Sequence, residues 1–399
     1  MKLKSIKSTD IKGKTILYRS PYDIEPESVD GSYKILDNSR IKATLDTVNY
    51  LLKNNCKVVV LTWVGRPNGQ KDDILSTKYL AEELGQLINH PVKHVEKTIG
   101  PETEQIINSM QPKDIIMLEN TRFYPEEEND DDNFAKQLTY GCDLIVFDGF
   151  PQSHRIHAST TGILRHLPAV AGFYFEKEVS SLSQLLEDPK RPFSLVIGGK
   201  KALDKVDAIK SLYDKADTII VGGAAANAFL KASGTNIRNS YVEDENTIEA
   251  AKEILNMGNK LITPTDFTIT DNIKNPSISQ IEAADNIPNG HAIADIGPKT
   301  SQIYADIISK SNTVFWAGPM GIFEDERFSN GTRSIISAME TATKNGSITI
   351  AAGGDTIEAI DKFSNQDNFS HISLAGGATL AFLSGKNLPV LDYLEKTER

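Results

Sequence analysis

Along this whole chain, apolar runs rich in β-branched residues alternate with helix-like stretches, and in the second half five of those runs end at glycines. They read SLVIGGKK, TIIVGGAAAN, TVFWAGPMG, ITIAAGGDT and HISLAGGAT. Each has the pattern of a buried strand that hands a Gly-rich turn to the start of a helix. Alternation of this kind builds βαβ units and doubly wound parallel sheets, whose ligands sit beyond the carboxyl ends of the strands. Glycine lets backbone N–H groups approach a ligand closely, and a helix start adds partial positive charge. One such turn is a weak signal, because many αβ proteins have a tight turn there for packing alone. Five of them, with no Walker or dinucleotide fingerprint, predict a sheet whose carboxyl edge is shaped for a polyphosphate.

The first half carries the strand-like runs KTILYRS, CKVVVLTW, DIIMLE and CDLIVF, with helical patterns over 40–52 and 77–87. A charged helix, EKEVSSLSQLLEDPK, ends in Pro189-Lys190-Arg191-Pro192 and marks the break between two αβ domains of similar size. The predicted organisation is 1–175, a linking helix over 176–189, and 190–380. A length of 399 residues suits two or three domains. The acidic run 126–132 reads as a solvated loop or first helical turn. Behind the first-half strands stand Arg19, Gly65-Arg66-Pro67, Asn120-Thr121-Arg122 and, after Asp148-Gly149-Phe150, His154-Arg155. Several arginines on one sheet edge predict an anion pocket, since the planar guanidinium suits carboxylates and phosphates. The two halves therefore read as an anionic-substrate domain and a nucleotide domain.

The net charge of -11 argues against non-specific nucleic-acid binding, so anions must be met by local basic clusters. The two cysteines, Cys56 and Cys142, read as reduced core thiols. The N-terminus has no apolar signal core, and no stretch is long and apolar enough for a membrane span, so a cytoplasmic protein is expected. His154 and His157 have no third ligand at sensible spacing and read as packing or hydrogen-bonding residues. Taken alone, Lys201 and Lys205 are an i,i+4 pair on one helical face. Trp316 reads as core.

Eight motifs then coincide in order and spacing: VGRP at 64–67, ENTRF at 119–123, HRIHAS at 154–159, GFYFEKE at 172–178, GGKKALDK at 198–205, DIGP at 295–298, WAGPMGIFE at 316–324 and GGDT at 353–356. With them the chain resembles the phosphoglycerate kinase family over nearly its full length. The resemblance implies an α/β fold of two doubly wound parallel-sheet domains joined by a helix, with a cleft between them. It also implies a tail, 381–399, returning to the first domain, and a monomer. The implied reaction is Mg²⁺-dependent phosphoryl transfer between 1,3-bisphosphoglycerate and ADP, giving 3-phosphoglycerate and ATP. The attacking oxygen is already ionised, so no general base is needed, and catalysis is positioning with charge neutralisation.

By this resemblance Arg40 and Lys201 flank the transferring group, and the helix starts at Gly353-Gly354 and Gly376-Gly377 add backbone donors. Asp355 holds Mg²⁺ and Thr356 a phosphate oxygen. Lys205 reaches the nucleotide phosphates, with Gly199 in the same turn, and Glu324 the ribose hydroxyls. Gly222, Gly223 and Pro319 line the adenine slot, while Arg66, Arg122 and Arg155 grip the non-transferred phosphate of the acid. The chain also departs from the family. Pro21-Tyr22-Asp23 stands in place of an Asp-Phe-Asn segment, so Asp23 is expected to supply the acid pocket's carboxylate from two positions along. Trp63 replaces a histidine, keeping one N–H donor without the charge. On the nucleotide side Ala317 replaces an asparagine, Leu374 and Ala375 a threonine and a glycine, and Lys200 a small residue. These departures leave two further readings open: an acyl-phosphate kinase for a different phosphorylated acid, and a non-catalytic nucleotide- or phosphoacid-binding protein.

Overall fold

A computed structural model describes residues 2–200 and 203–395. It divides into two compact units, Met1–Ser180 with Asn387–Arg399, and Ser181–Lys386. A helix of 15 residues, Phe173–Glu187, carries the chain from one into the other.

The first unit contains β1 (Thr15–Arg19), a small hairpin of β2 (Glu27–Val29) and β3 (Ser32–Lys34), then β4 (Lys57–Leu61), β5 (Val92–Val95), β6 (Ile115–Leu118), β7 (Leu144–Phe147) and β8 (Ala169–Ala171). Six of these form a parallel sheet in the order β5-β6-β4-β1-β7-β8. Every residue of β1, β6 and β7 is buried, which is why these strands read as unbroken apolar runs rather than alternating ones. The loops after the four central strands β6, β4, β1 and β7 therefore open side by side on one sheet edge. The two outer strands were not legible as strands: β5 is VKHV, half polar, and β8 has three residues. The helical pattern over 40–52 resolves into two helices, Ser39–Lys42 and Leu45–Lys53, broken where the Thr44 hydroxyl donates to Ile41 O at 2.8 Å.

The acidic run 126–132 forms first helical turns and is mostly exposed, with one exception. Glu127 lies in the short helix Pro125–Glu128 with no exposed surface, its carboxylate accepting from Ser159 Oγ at 2.5 Å and Ser159 N at 3.1 Å.

The second unit contains β9 (Phe193–Ile197), β10 (Thr218–Val221), β11 (Leu261–Ile262), β12 (Asp266–Thr270), β13 (Gln280–Ala283), β14 (Ala292–Ile296), β15 (Thr313–Ala317), β16 (Ile348–Ala352) and β17 (His371–Ser373). Its parallel sheet runs β11-β10-β9-β15-β16-β17, so the five glycine-ended runs are five neighbouring strands. An antiparallel sheet, β13-β12-β14, stands apart from it. Four of the five runs continue into helices: Leu203–Leu212, Gly223–Ala232, Gly354–Phe363 and Gly377–Leu383. The fifth does not. After β15 the WAGPMG turn leads through a loop before the helix Asn330–Lys344 begins. Trp316 lies in the core of this unit with Val196, Ile220 and Val314, its indole N–H donating to Gly318 O at 2.8 Å. Cys56 and Cys142 are free thiols. No described helix is long and apolar enough to cross a membrane.

Candidate active site

At the carboxyl edge of the first unit, the backbone of each loop is fixed by buried polar side chains of the next. Asn120, fully buried, accepts from Val64 N at 3.1 Å and Arg122 N at 3.0 Å, and donates to Val64 O at 2.8 Å and Leu75 O at 2.9 Å. One amide thus ties the loop after β6 to the loop after β4. Glu119 beside it accepts from Thr77 N at 2.9 Å and Ser76 Oγ at 2.8 Å. Burial alone would raise its pKa, but the hydrogen bonds from His94, Thr77, Asn120 and Ser76 win and hold it down at about 2.

On this frame the structure brings together Asp23, Arg40, Trp63 and Arg122. Asp23, half-buried, accepts from the Trp63 indole N–H at 3.0 Å and from Gly65 N at 2.9 Å, and its backbone carbonyl accepts from Arg40 Nη1 at 2.5 Å. Arg122 Nη1 donates to Gly65 O at 2.6 Å, and its Nε lies 3.2 Å from Glu128 Oε1. Arg66 and Arg155 are exposed at the same edge, and the charge of Arg155 acts on Arg122. Trp63, expected to offer an N–H to substrate, is only 2 % exposed. Arg19 is buried completely, its Nε donating to Ser159 O at 2.9 Å, so it belongs to the support of this edge rather than to its surface. Burial lowers its pKa to about 10, against the attraction of Glu127 and Asp23. Burial likewise pushes Glu127 up to about 7, opposed by the Ser159 hydrogen bond and the charge of Arg19. His157, whose ring centre is 5.1 Å from that of Trp63, is brought down to about 4 by burial and then by Arg122.

The second unit offers two adjoining cavities. One, of about 250 Å³, is lined by Gly199, Gly223, Ala224, Pro319, Met320 and Glu324, among others that are mostly apolar. The other, of about 360 Å³, is lined by Lys205, Gly353, Gly354, Thr356, Gly376 and Gly377, among others. Lys200 and Asp355 line both. Gly222 is set behind the first cavity, where an added Cβ would lie 2.3 Å from Met320 Sδ. Lys205 Nζ donates to Gly198 O and, at 2.9 Å, to Lys200 O, and Thr356 Oγ1 accepts from Gly318 N at 2.7 Å. Lys201 lies outside the described residues. Ala317 is on the wall of the larger cavity.

The glycine turns fall into two kinds. A Cβ on Gly318, which has φ +97°, would lie 2.1 Å from Gly198 O, and Gly199 N donates to Pro319 O at 2.6 Å, so these turns pack backbone on backbone. Gly354, Gly376 and Gly377 have nothing within 4 Å of an added Cβ and leave their backbone open to the cavity. Sequence reasoning named Glu119 and Asn120 only as letters of the ENTRF motif and missed their buried supporting role, and it missed Glu127, which carries no periodic or motif signal.

Residues 6–386 match the family model described as phosphoglycerate kinase. The structure is similar to that of phosphoglycerate kinase from Coxiella burnetii, at 32% identity, 98% coverage of both chains and a TM-score of 0.85. It is also similar to that of phosphoglycerate kinase from Pyrococcus horikoshii OT3, at 29% identity, 98% coverage of both and a TM-score of 0.86. Two such whole-length matches, and a family model spanning both glycine-turn cavities and the arginine edge, make this chain a member of the phosphoglycerate kinase family of phosphotransferases.

Proposed function

We propose that this protein transfers a phosphoryl group between 1,3-bisphosphoglycerate and ADP, giving 3-phosphoglycerate and ATP, as a monomeric cytoplasmic enzyme with Mg²⁺ on the nucleotide. The observation that carries the nucleotide half is the pair of adjoining cavities sharing Lys200 and Asp355. The mostly apolar one, of about 250 Å³, suits a nucleobase, with Gly223 and Pro319 on its walls and Glu324 at hand for the ribose hydroxyls. The other, walled by Gly353, Gly354, Gly376 and Gly377, suits phosphate, because the open backbone at the start of the helix Gly354–Phe363 presents N–H donors at the positive end of its dipole.

Among the described residues no three His, Cys, Asp or Glu side chains gather to hold a metal. Asp355, exposed, is the carboxylate that lines both cavities. A single carboxylate fits Mg²⁺ that arrives with phosphate oxygens as its other ligands. When bound, the ion would neutralise phosphate charge, and Asp355 would hold it.

In the first unit Arg66, Arg122 and Arg155 bind the acid's non-transferred phosphate, Asp23 meets its polar end, and Arg40 serves the transferring group with Lys201. None of these groups needs to take a proton, since the reacting oxygens are already ionised. Each orients a reactant or offsets negative charge. The test is ATP formation from 1,3-bisphosphoglycerate and ADP with Mg²⁺, in the wild type and in Lys201→Ala. The wild type is expected to turn over and the variant to lose on the order of a hundredfold or more. No turnover by the wild type at saturating substrates would sink the reading.

A further inference from the structure

Trp63 closes a circuit of contacts in the first unit. Its indole N–H donates to Asp23 Oδ2 at 3.0 Å, and Asp23 Oδ1 accepts from Gly65 N at 2.9 Å. Gly65 O accepts from Arg122 Nη1 at 2.6 Å, and the Arg122 guanidinium carbon lies over the Trp63 ring, 4.3 Å from its centre. The buried Arg19 guanidinium lies over the same ring at 4.5 Å. The side chain is 2 % exposed, its single donor is engaged and its ring is covered by cations. An indole in this state has nothing left to offer a substrate. It does have two neighbours whose positions matter.

We infer that Trp63 is a positioning residue: it fixes the Asp23 carboxylate and the Arg122 guanidinium at the acid-binding edge, and acts on substrate only through them. This rests on the reading of that edge as the acid site. The chemistry suits the task. Tryptophan is the aromatic side chain that best attracts a guanidinium, and the attraction grows when water is excluded, as it is around Arg19 and Arg122. Its N–H turns one carboxylate oxygen while Gly65 N turns the other, so the plane of Asp23 is set by two donors. A neutral ring also adds no third positive charge to a place that already holds two guanidinium groups.

The two contacts can be separated by substitution. Trp63→Phe keeps an aromatic face and removes the N–H. Measured with 3-phosphoglycerate and ATP, it should raise KM for the acid about tenfold and leave KM for ATP within about twofold. If the N–H acts through Asp23, the double variant Trp63→Phe/Asp23→Asn should be no worse than Asp23→Asn alone, to within about twofold. Multiplying effects would mean that Trp63 meets the acid itself, and equal changes in both KM values would mean a general structural role. Either result overturns the inference. Independently of turnover, a Trp316→Phe variant leaves Trp63 as the only tryptophan. Its emission should change saturably with 3-phosphoglycerate alone, as the guanidinium over it takes up phosphate. Unchanged emission alongside acid binding seen by calorimetry would also overturn it. Wild-type protein without turnover, yet with this emission change, would instead fault the assigned reaction.

Discussion

Lys200 is the residue whose surroundings say most beyond its sequence position. It is exposed, it lines both cavities of the second unit, and Ala317 beside it contributes only a methyl group. Lys205, the other described lysine at the larger cavity, has its ammonium on two backbone carbonyls. On the proposed nucleotide reading Lys200 would supply phosphate charge, and Lys200→Met should raise KM for ADP about tenfold while KM for the acid stays constant. A matching rise in both, read from initial rates, would remove it from the nucleotide site. Two buried glutamates of the first unit bear on pH with opposite signs. Glu119, held at about 2, stabilises the fold above the ordinary glutamate range, and that contribution is lost as pH falls from about 4.5 towards 2. Glu127, pushed up to about 7, is favoured protonated, so its contribution is present below about 4.5 and lost as pH rises through 7. Urea unfolding across pH should show Glu127→Gln flattening the decline between pH 5 and 7.5, and Glu119→Gln flattening the acid side, each by up to about 3 kcal/mol. Glu119 was visible only as the first letter of ENTRF, and Glu127 was hidden because burial inside an acidic run such as EEENDDD is decided by Arg19 and Ser159, far away in sequence.

At the scale of elements the strongest sequence signal held its place but split in meaning. The five glycine-ended runs are five adjacent strands, and their apolar composition follows from burial on both faces. The letters GG alone do not say whether a glycine is small for a neighbouring backbone or for a ligand. Only the packing distinguishes Gly318, 2.1 Å from Gly198 O when given a Cβ, from Gly354, which meets nothing. Gly318→Ala must therefore strain a positive φ and push two turns apart, and should cost about 3 kcal/mol or more in stability. Gly354→Ala should leave stability within about 1 kcal/mol, since alanine favours a helix, yet raise KM for ADP severalfold by placing a methyl group at the phosphate wall. Thermal unfolding and initial rates on the two variants separate these roles, and the opposite pattern would reverse the assignment. The elements that stayed illegible are the short or half-polar ones: β5, β8 and the antiparallel β12, β13 and β14, whose pairing is set by distant partners rather than by their own pattern.

At the scale of the whole molecule, the chain returns after the second unit to finish the first. Lys4 N donates to Leu394 O at 2.8 Å, Lys4 Nζ to Tyr393 O at 2.9 Å, and Leu3 bridges Glu395 in antiparallel fashion. The helix Pro389–Leu394 buries Val390 and Leu394 completely and Leu391 nearly so. The resemblance implied such a returning tail, although the terminal stretch LPVLDYLEK by itself shows only an amphipathic pattern without its partner. Burying three such side chains contributes roughly 1.5–3 kcal/mol each, an upper range because the unfolded chain is not fully extended. Truncation after Lys386 should therefore weaken the first unit by several kcal/mol and leave the second nearly unchanged. The two tryptophans make this measurable, because Trp63 reports on the first unit and Trp316 on the second. In single-tryptophan variants, urea unfolding followed by Trp63 emission should move to lower denaturant on truncation, with the Trp316 transition held in place. Equal shifts in both would mean that the two units unfold as one cooperative body, and no shift in either would mean that the tail contacts contribute nothing to stability.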